Sequence, residues 1–425
     1  MTRPMMTRRV AYFAFDRGDA ATRRRVEALR ADGVAVDGFA MRRRDDEQPD
    51  WVVADLGRTR DNAYLQRLGA IALGVQRALA RRDLLVEADV LLARNLDMLA
   101  IASLVRIVGR IRAPLVYECL DIHRLMVRED AVGRALRAAE GWMLRRSSML
   151  WVSSPAFLTA YFDRWNLRPA ATAMVENRMT PTRGLAPRPA ESQQRAAGPL
   201  RIGWFGNLRC RRSLALLERV AATYPGKVEI HLRGYPALGE IPDFEDRVAA
   251  QPGFHYGGRY RAPEDLGALY EGVDVVWAGD FMDDGFNSAW LLPNRLYEGG
   301  WFACPPIAPA KAETGRWIAA RNIGFPLDEP LEEKLPELVG GLLVDPSPIS
   351  KARSALLDLP AETFVQPRGA IAALIEEAID DGRRNAASSR SERRSRVKNM
   401  AYMSSGTGAG ATADVDDVNR DENAQ

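Results

Sequence analysis

Short apolar segments alternate with longer segments of helical period, twice over, and this constrains the fold of the chain more than any other feature. In the first half RVAYFAF (9–15), VAVDGFAM (34–41), ADVLLAR (88–94), APLVYECLDIH (113–123), MLWVSS (149–154) and ATAMVENR (171–178) read as strands. Helical patterns over 19–33, 61–82, 97–111 and 131–146 separate most of them. Parallel strands need crossover connections, so this alternation predicts parallel α/β sheets. It lapses over TPTRGLAPRPAESQQRAAGP (180–199), a Pro- and Ala-rich stretch without periodicity that reads as a linker. It resumes with LRIGWFGN (200–207), KVEIHLRGY (227–235), VDVVWAGD (273–280) and PPIAPA (305–310). PRGAIAALIEEAID (367–380) is the last periodic helix, and from about 384 the chain has the composition of a disordered tail. The expected architecture is α/β: two doubly wound, Rossmann-like parallel-sheet domains facing a cleft. They occupy 1–179 and 200–365, joined by a linker over 180–199 and followed by a C-terminal helix over 366–383 and a tail over 384–425.

Composition excludes several classes. The 425 residues exceed one ordinary core. A formal charge of +3 gives no case for nucleic-acid binding. Lysine is absent before Lys227, so the basic side chains of the first half are all arginine. Cys119, Cys210 and Cys304 are scattered without metal or disulfide spacing, which favours a reducing compartment. MTRPMMTRRVAYFAFD reads as a first strand, not a signal peptide. LDMLAIASLVRIVGRI is interrupted by Arg106 and too short to span a bilayer. The expectation is a cytoplasmic protein, with peripheral contact at the inner face of the plasma membrane. The helix over 61–82, with Leu65, Leu68, Ala72, Val75 and Leu79 on one face and arginines at 67, 77, 81 and 82, fits either an anionic lipid surface or an ordinary α/β layer.

In doubly wound sheets ligands bind beyond the carboxyl ends of the strands, so residues just after strands are the candidates. WFGNLRCRRS (204–213) puts Gly206 and Asn207 at a turn and Arg209, Arg211 and Arg212 at a helix start, a pattern suited to phosphate. A plain glycine turn with solvated arginines has the same pattern. LLPNRLYEGGWFACPP (291–306) places Pro293, Asn294 and Arg295 in a first helical turn and Glu298 one turn on. Glu298 can accept two hydrogen bonds from a ribose, or can simply favour the helix dipole. Gly299 and Gly300 allow close approach of a ligand or of the adjacent strand. The acid-rich loop 278–292 carries Asp280, Asp283, Asp284 and Asn287, and AETGRW (312–317) offers Glu313 and Thr314 at another helix start. In the first half YECLDIHRL ends its strand with Glu118, Asp121 and His123, LARNLDML supplies Arg94 and Asn95, and FDRGDAATRRR supplies Asp16. These form an expected acceptor-side rim.

IGWFGNLR, YGGRYRAPEDLGALYEGVDVVWAGD, LPNRLYEGG…PPIA and ETGRW…NIGFPL, in this order, resemble the second lobe of a GT-B glycosyltransferase. The match is to the retaining family 4, exopolysaccharide-biosynthesis type. LLARNLDML, PLVYECLDIH and MLWVSSPAF agree in the first lobe, and the resemblance covers about residues 8–380. It implies a UDP- or GDP-linked nucleotide-sugar donor in the second lobe and a saccharide or polyprenyl-diphosphate-linked acceptor in the first, with no cofactor and no metal. It implies that Glu298, the second glutamate of the family's Glu-x7-Glu motif, holds the ribose. Arg209 and Arg212 correspond to the residues that neutralise the diphosphate, and His123 to one that approaches the donor sugar. The first glutamate of that motif falls on Trp290, so Asn287, Asp283 or Asp284 replaces its contact or the contact is absent. A non-catalytic scaffold and a nucleotide-sugar 2-epimerase share the fold. A dehydrogenase is disfavoured, because no Gly-x-Gly-x-x-Gly follows either first strand.

Overall fold

A computed structural model describes residues 7–43, 48–58, 64–169, 171–191 and 197–384. The tail expected beyond 384 lies outside the described residues, as do 61–63 and the side chains of 64–67 in the basic helix. The first sheet is built from β1 (Arg9–Ala14), β2 (Ala35–Arg42), β3 (Val52–Arg58), β4 (Val90–Arg94), β5 (Leu115–Cys119), β6 (Met149–Val152) and β7 (Thr172–Met174). Its order is β3-β2-β1-β4-β5-β6-β7. The second sheet contains β8 (Leu200–Leu208), β9 (Val228–Pro236), β10 (Phe254–Tyr256), β11 (Val275–Trp277), β12 (Pro306–Pro309) and β13 (Phe325–Leu327), in the order β10-β9-β8-β11-β12-β13. Every pairing between these strands is parallel. Each sheet reverses direction at its first strand, between β1 and β4 and between β8 and β11, and a doubly wound sheet opens its ligand crevice there.

Three elements differ from expectation. VVADLGR forms β3, whose mixed polarity hid it from an apolar-run reading. Strand β5 stops at Cys119, so Asp121 and His123 lie on a turn that leads into a 3-10 helix (Arg124–Val127). The stretch 180–191 is not a free linker: Leu185 and Ala186 pack on the second-lobe core, and Trp301 Nε1 donates to the Ala186 carbonyl at 3.0 Å.

The chain crosses between lobes twice, and the crossings run side by side. Met179 N donates to the Phe364 carbonyl at 3.0 Å and Gln366 N to the Met179 carbonyl at 2.7 Å. The helix over 370–384 then returns to the first lobe, burying Ile371, Ile375, Ala378 and Ile379 against Val10, Tyr12 and Trp151. Each buried isoleucine contributes roughly 1.5–3 kcal/mol of hydrophobic stabilisation. Asp32 caps the start of that helix, accepting from Gly369 N at 2.6 Å and Ile371 N at 2.9 Å.

Candidate active site

The two switch points face each other across one cleft of two joined cavities, of about 300 and 370 Å³, which share Phe15, Arg43, Asn95, Asp121 and Arg209. Gly206, near the end of β8, has φ +107°, which an L side chain rarely adopts. It pairs in register with Gly234, where a Cβ would stand 1.8 Å from the Gly206 carbonyl oxygen. Two glycines together allow this tight approach, and they carry the turn into the cleft.

On the second-lobe side the first cavity is lined by Gly206, Asn207, Arg209, Tyr260, Asp280, Pro293, Asn294, Arg295 and Glu298. Arg209 Nη2 donates to Asp280 Oδ2 at 2.7 Å. Burial opposes ionisation of both; Asp280 raises the Arg209 pKa, and Arg209 holds the Asp280 carboxyl below its usual range. Arg295 Nη1 donates to the Phe205 carbonyl at 2.8 Å, fixing the guanidinium beneath the glycine turn. Glu298 is 2% exposed. It accepts from the Tyr270 hydroxyl at 2.9 Å and from the Arg24 guanidinium, which reaches across from the first lobe. The Tyr260 phenol is pushed up by burial and by the nearby Glu298 carboxylate.

From the first lobe the same cavity takes Asp16, Asp19, Arg94, Asn95 and Asp121. Asn95 occupies the position before the helix Leu96–Val108, without a side-chain capping bond, at φ +68°, an uncommon conformation for a non-glycine residue and one found at functional sites. Glu118 lies behind this wall. It is fully buried and accepts from Arg25 Nε at 2.6 Å and Arg94 Nε at 3.0 Å. Burial alone would raise its pKa, but Arg25 and Arg94 bring it down to about 2. Glu118 therefore positions Arg94 and does not itself face the cleft.

Buried polar groups normally find partners, and each exception needs an explanation. Four side chains of the first cavity carry such buried atoms without a hydrogen bond: Arg94 Nη1, Asn95 Oδ1, Asn207 Oδ1 and Arg295 Nε.

His123 and Asn287 line the second cavity with Asp121, Asp283 and Glu140. His123 Nδ1 accepts from Leu125 N at 3.2 Å. Asn287 bridges the lobes: its Oδ1 accepts from Ile122 N and its Nδ2 donates to Asp121 Oδ1, both at 3.2 Å. Asp284 turns back onto Gly285 N.

The remaining candidates sit elsewhere. Arg212 lines neither cavity; it pairs with Glu329 at 2.8 Å and Glu332 at 3.1 Å on the outer side of its helix. Glu313 pairs with Arg316 at 2.7 Å, and Thr314 Oγ1 donates to the Leu291 carbonyl at 3.2 Å, supporting the segment before Pro293. Gly300 packs against the ring of Phe364, and Gly299 against the Cys304 carbonyl and Tyr270, so both glycines serve close packing instead of ligand access. Trp290 is buried in the core of the first lobe, where Ser154 Oγ donates to its carbonyl at 2.5 Å. Arg24, Tyr260 and Tyr270 were not singled out from the sequence. Arg24 lay within a run of three arginines and the tyrosines within ordinary periodic segments.

No family model matches the chain. The succinoglycan biosynthesis protein ExoL of Rhizobium meliloti (strain 1021) is 43% identical over 343 residues, covering 78% of this chain and 84% of that protein. The chain belongs to the ExoL family. Its fold is that of the GT-B glycosyltransferases. Anabaena HepE, solved with UDP and glucose, matches this ExoL-family chain with a TM-score of 0.61 at 16% identity over 90% of it and 99% of HepE. Sucrose-phosphate synthase from Thermosynechococcus elongatus matches with 0.65 at 13% identity over 90% of this chain and 100% of that one. WaaG, a glycosyltransferase of lipopolysaccharide biosynthesis, matches with 0.56 at 12% identity, over 87% and 98%. At these identities the likeness is one of fold.

Proposed function

We propose that this GT-B glycosyltransferase moves a sugar from a nucleotide-sugar donor to a saccharide or lipid-linked saccharide in exopolysaccharide synthesis. The observation that carries the reading is the convergence on one interlobe cavity, at the switch points of both sheets, of Asn207, Arg209, Arg295 and Glu298 from one lobe and Arg94 and Asn95 from the other. HepE is described in complex with UDP-glucose, and ExoL serves succinoglycan biosynthesis, which supports the same direction here.

In this reading Glu298 holds the ribose hydroxyls. Arg209, Arg295 and the first turn of the helix Asn294–Trp301 meet the diphosphate, whose charge grows as the glycosidic bond breaks; fixed donors there stabilise the transition state electrostatically. These groups supply the positive charge without an ion, and transfer proceeds with retention of configuration. His123, Asp121 and Asn287 lie where the sugar and acceptor would meet. Contact with a membrane surface is supported by Leu68, 71% exposed, and by exposed Leu73, Arg77, Ile107 and Val108 on two neighbouring helices, with Arg110 in the turn after the second.

The test is turnover of a labelled UDP- and GDP-sugar panel with membrane extract as acceptor source. Sugar moving into the lipid or polymer fraction supports the reading; hydrolysis alone, or none, removes it. A non-catalytic scaffold is favoured by one observation, the burial of Trp290 where a sugar-binding carboxylate is expected. Nucleotide binding without any transfer selects that reading.

A further inference from the structure

Only three histidines occur in the chain, and two of them, His231 and His255, stand directly opposite one another on adjacent parallel strands. Strand β9 alternates strictly: Val228, Ile230 and Leu232 turn into the core, while Glu229, His231 and Arg233 share the other face. His255 on the edge strand β10 joins that face. The two imidazoles lie 5.1 Å apart between centroids, and His231 Nε2 is 3.3 Å from Glu229 Oε2. One donor atom from each of Glu229, His231 and His255 falls within 4.8 Å of the other two.

We propose that Glu229, His231 and His255 bind a divalent ion of the zinc class on the outer face of the second sheet. Two donors about 2.0–2.1 Å from a tetrahedral ion stand roughly 3.3 Å apart, the observed Glu229–His231 separation. Two imidazoles and one carboxylate suit zinc, cobalt or nickel and do not suit magnesium or calcium, which take oxygen donors. A histidine–carboxylate hydrogen bond explains Glu229 and His231 but leaves His255 without a role; an ion explains all three. A separate cavity of about 350 Å³, lined by His231, Arg233, His255 and Leu269, adjoins the two imidazoles. Of the neighbouring cations, Arg201 is paired with Asp274 at 3.3 Å, and Arg233 is held by the Gly258 and Arg259 carbonyls at 3.2 and 3.0 Å and keeps its charge.

The ion would staple β10, which pairs with β9 through only three residues, onto the sheet. The chain then runs directly through Gly257–Arg259 to Tyr260 in the cleft wall. The site is thus structural, outside the cleft, and it orders a loop that reaches the cleft.

The experiment uses the full chain purified without a histidine tag. Zn2+ is titrated against a chromogenic chelator, and Co2+ is followed by its visible absorption. The expected result is a single equivalent of Zn2+, a tetrahedral Co2+ spectrum, and a rise in thermal midpoint with Zn2+ but not with Mg2+ or Ca2+. His231→Ala and His255→Ala should each weaken binding by more than the roughly 10–100-fold that losing a ligand's outer partner costs. His123→Ala should bind as the parent does. His255 is exposed, so its substitution leaves the fold intact. Substoichiometric binding, or binding retained by the His231→Ala/His255→Ala protein, overturns the proposal.

Discussion

Arg24 of the first lobe donates to the Glu298 carboxylate of the second, and this buried ion pair closes the cleft at the point proposed for the donor ribose. Arg24 also donates to the Asn177 carbonyl at 3.1 Å, so the guanidinium is held in place from two sides. A ribose entering here must share or displace Arg24, which couples donor binding to the relation between the lobes.

Removing one partner of such a pair leaves a buried charge. Glu298→Ala or Arg24→Ala should each destabilise the protein by about 3 kcal/mol in denaturant unfolding. Arg24→Ala/Glu298→Ala should cost clearly less than the sum of the two. Strict additivity would show that the pair does not act as a unit.

UDP or GDP should raise the thermal midpoint, with ligand at about 100 Kd worth about 2.7 kcal/mol. Glu298→Ala and Arg209→Ala should abolish the shift, whereas Arg212→Ala should retain it because Arg212 faces Glu329 and Glu332. A shift lost in Arg212→Ala and kept in Arg209→Ala would reverse the assignment.

Restoring the family's first glutamate should harm this chain. Trp290 fills the core of the first lobe, so Trp290→Glu buries an unpaired carboxylate as well as opening a cavity. A loss of at least about 3 kcal/mol is expected, against about 1–2 kcal/mol for Trp290→Phe. Chemical denaturation compares the two.

Glu140 gives a pH signature. Burial lifts its carboxyl to about 7, against the opposing hydrogen bonds from Tyr161 at 2.6 Å and Tyr117 at 3.2 Å and the attraction of Arg137. The folded protein therefore binds a proton that the unfolded chain has already released above its ordinary glutamate range. Stability should fall as pH rises from about 4.5 to about 7, by at most about 3 kcal/mol, then level off. Glu140→Gln should lack this falling component when unfolding free energy is measured across the same range.

The two-lobed fold was legible because both sheets are made of apolar runs whose alternation with helices needs no long-range information. Strand β3 was not, since an edge strand with Asp55 and Arg58 lacks that signature. Gly206 and Arg209 could be read because they sit at the end of a strand and just past it, and Asn294, Arg295 and Glu298 because they fall in the first turns of a helix beside the cleft. Arg24 could not: its role depends on a carboxylate 274 positions away. The juxtaposition of His231 and His255 was illegible for the same reason, since they become neighbours only through the β9–β10 register. Glu118 looked like a rim residue in sequence because strand ends and strand interiors are indistinguishable there; two arginines pull it inward.

The helix over 370–384 completes the face of a sheet whose strands lie between residues 9 and 174. On the ribosome the first lobe therefore emerges long before its own covering, and the second lobe must be made in between. Until synthesis passes residue 379, Val10, Tyr12 and Trp151 lack part of their apolar shield. The nascent first lobe thus carries transiently exposed apolar surface, the condition that favours aggregation during synthesis.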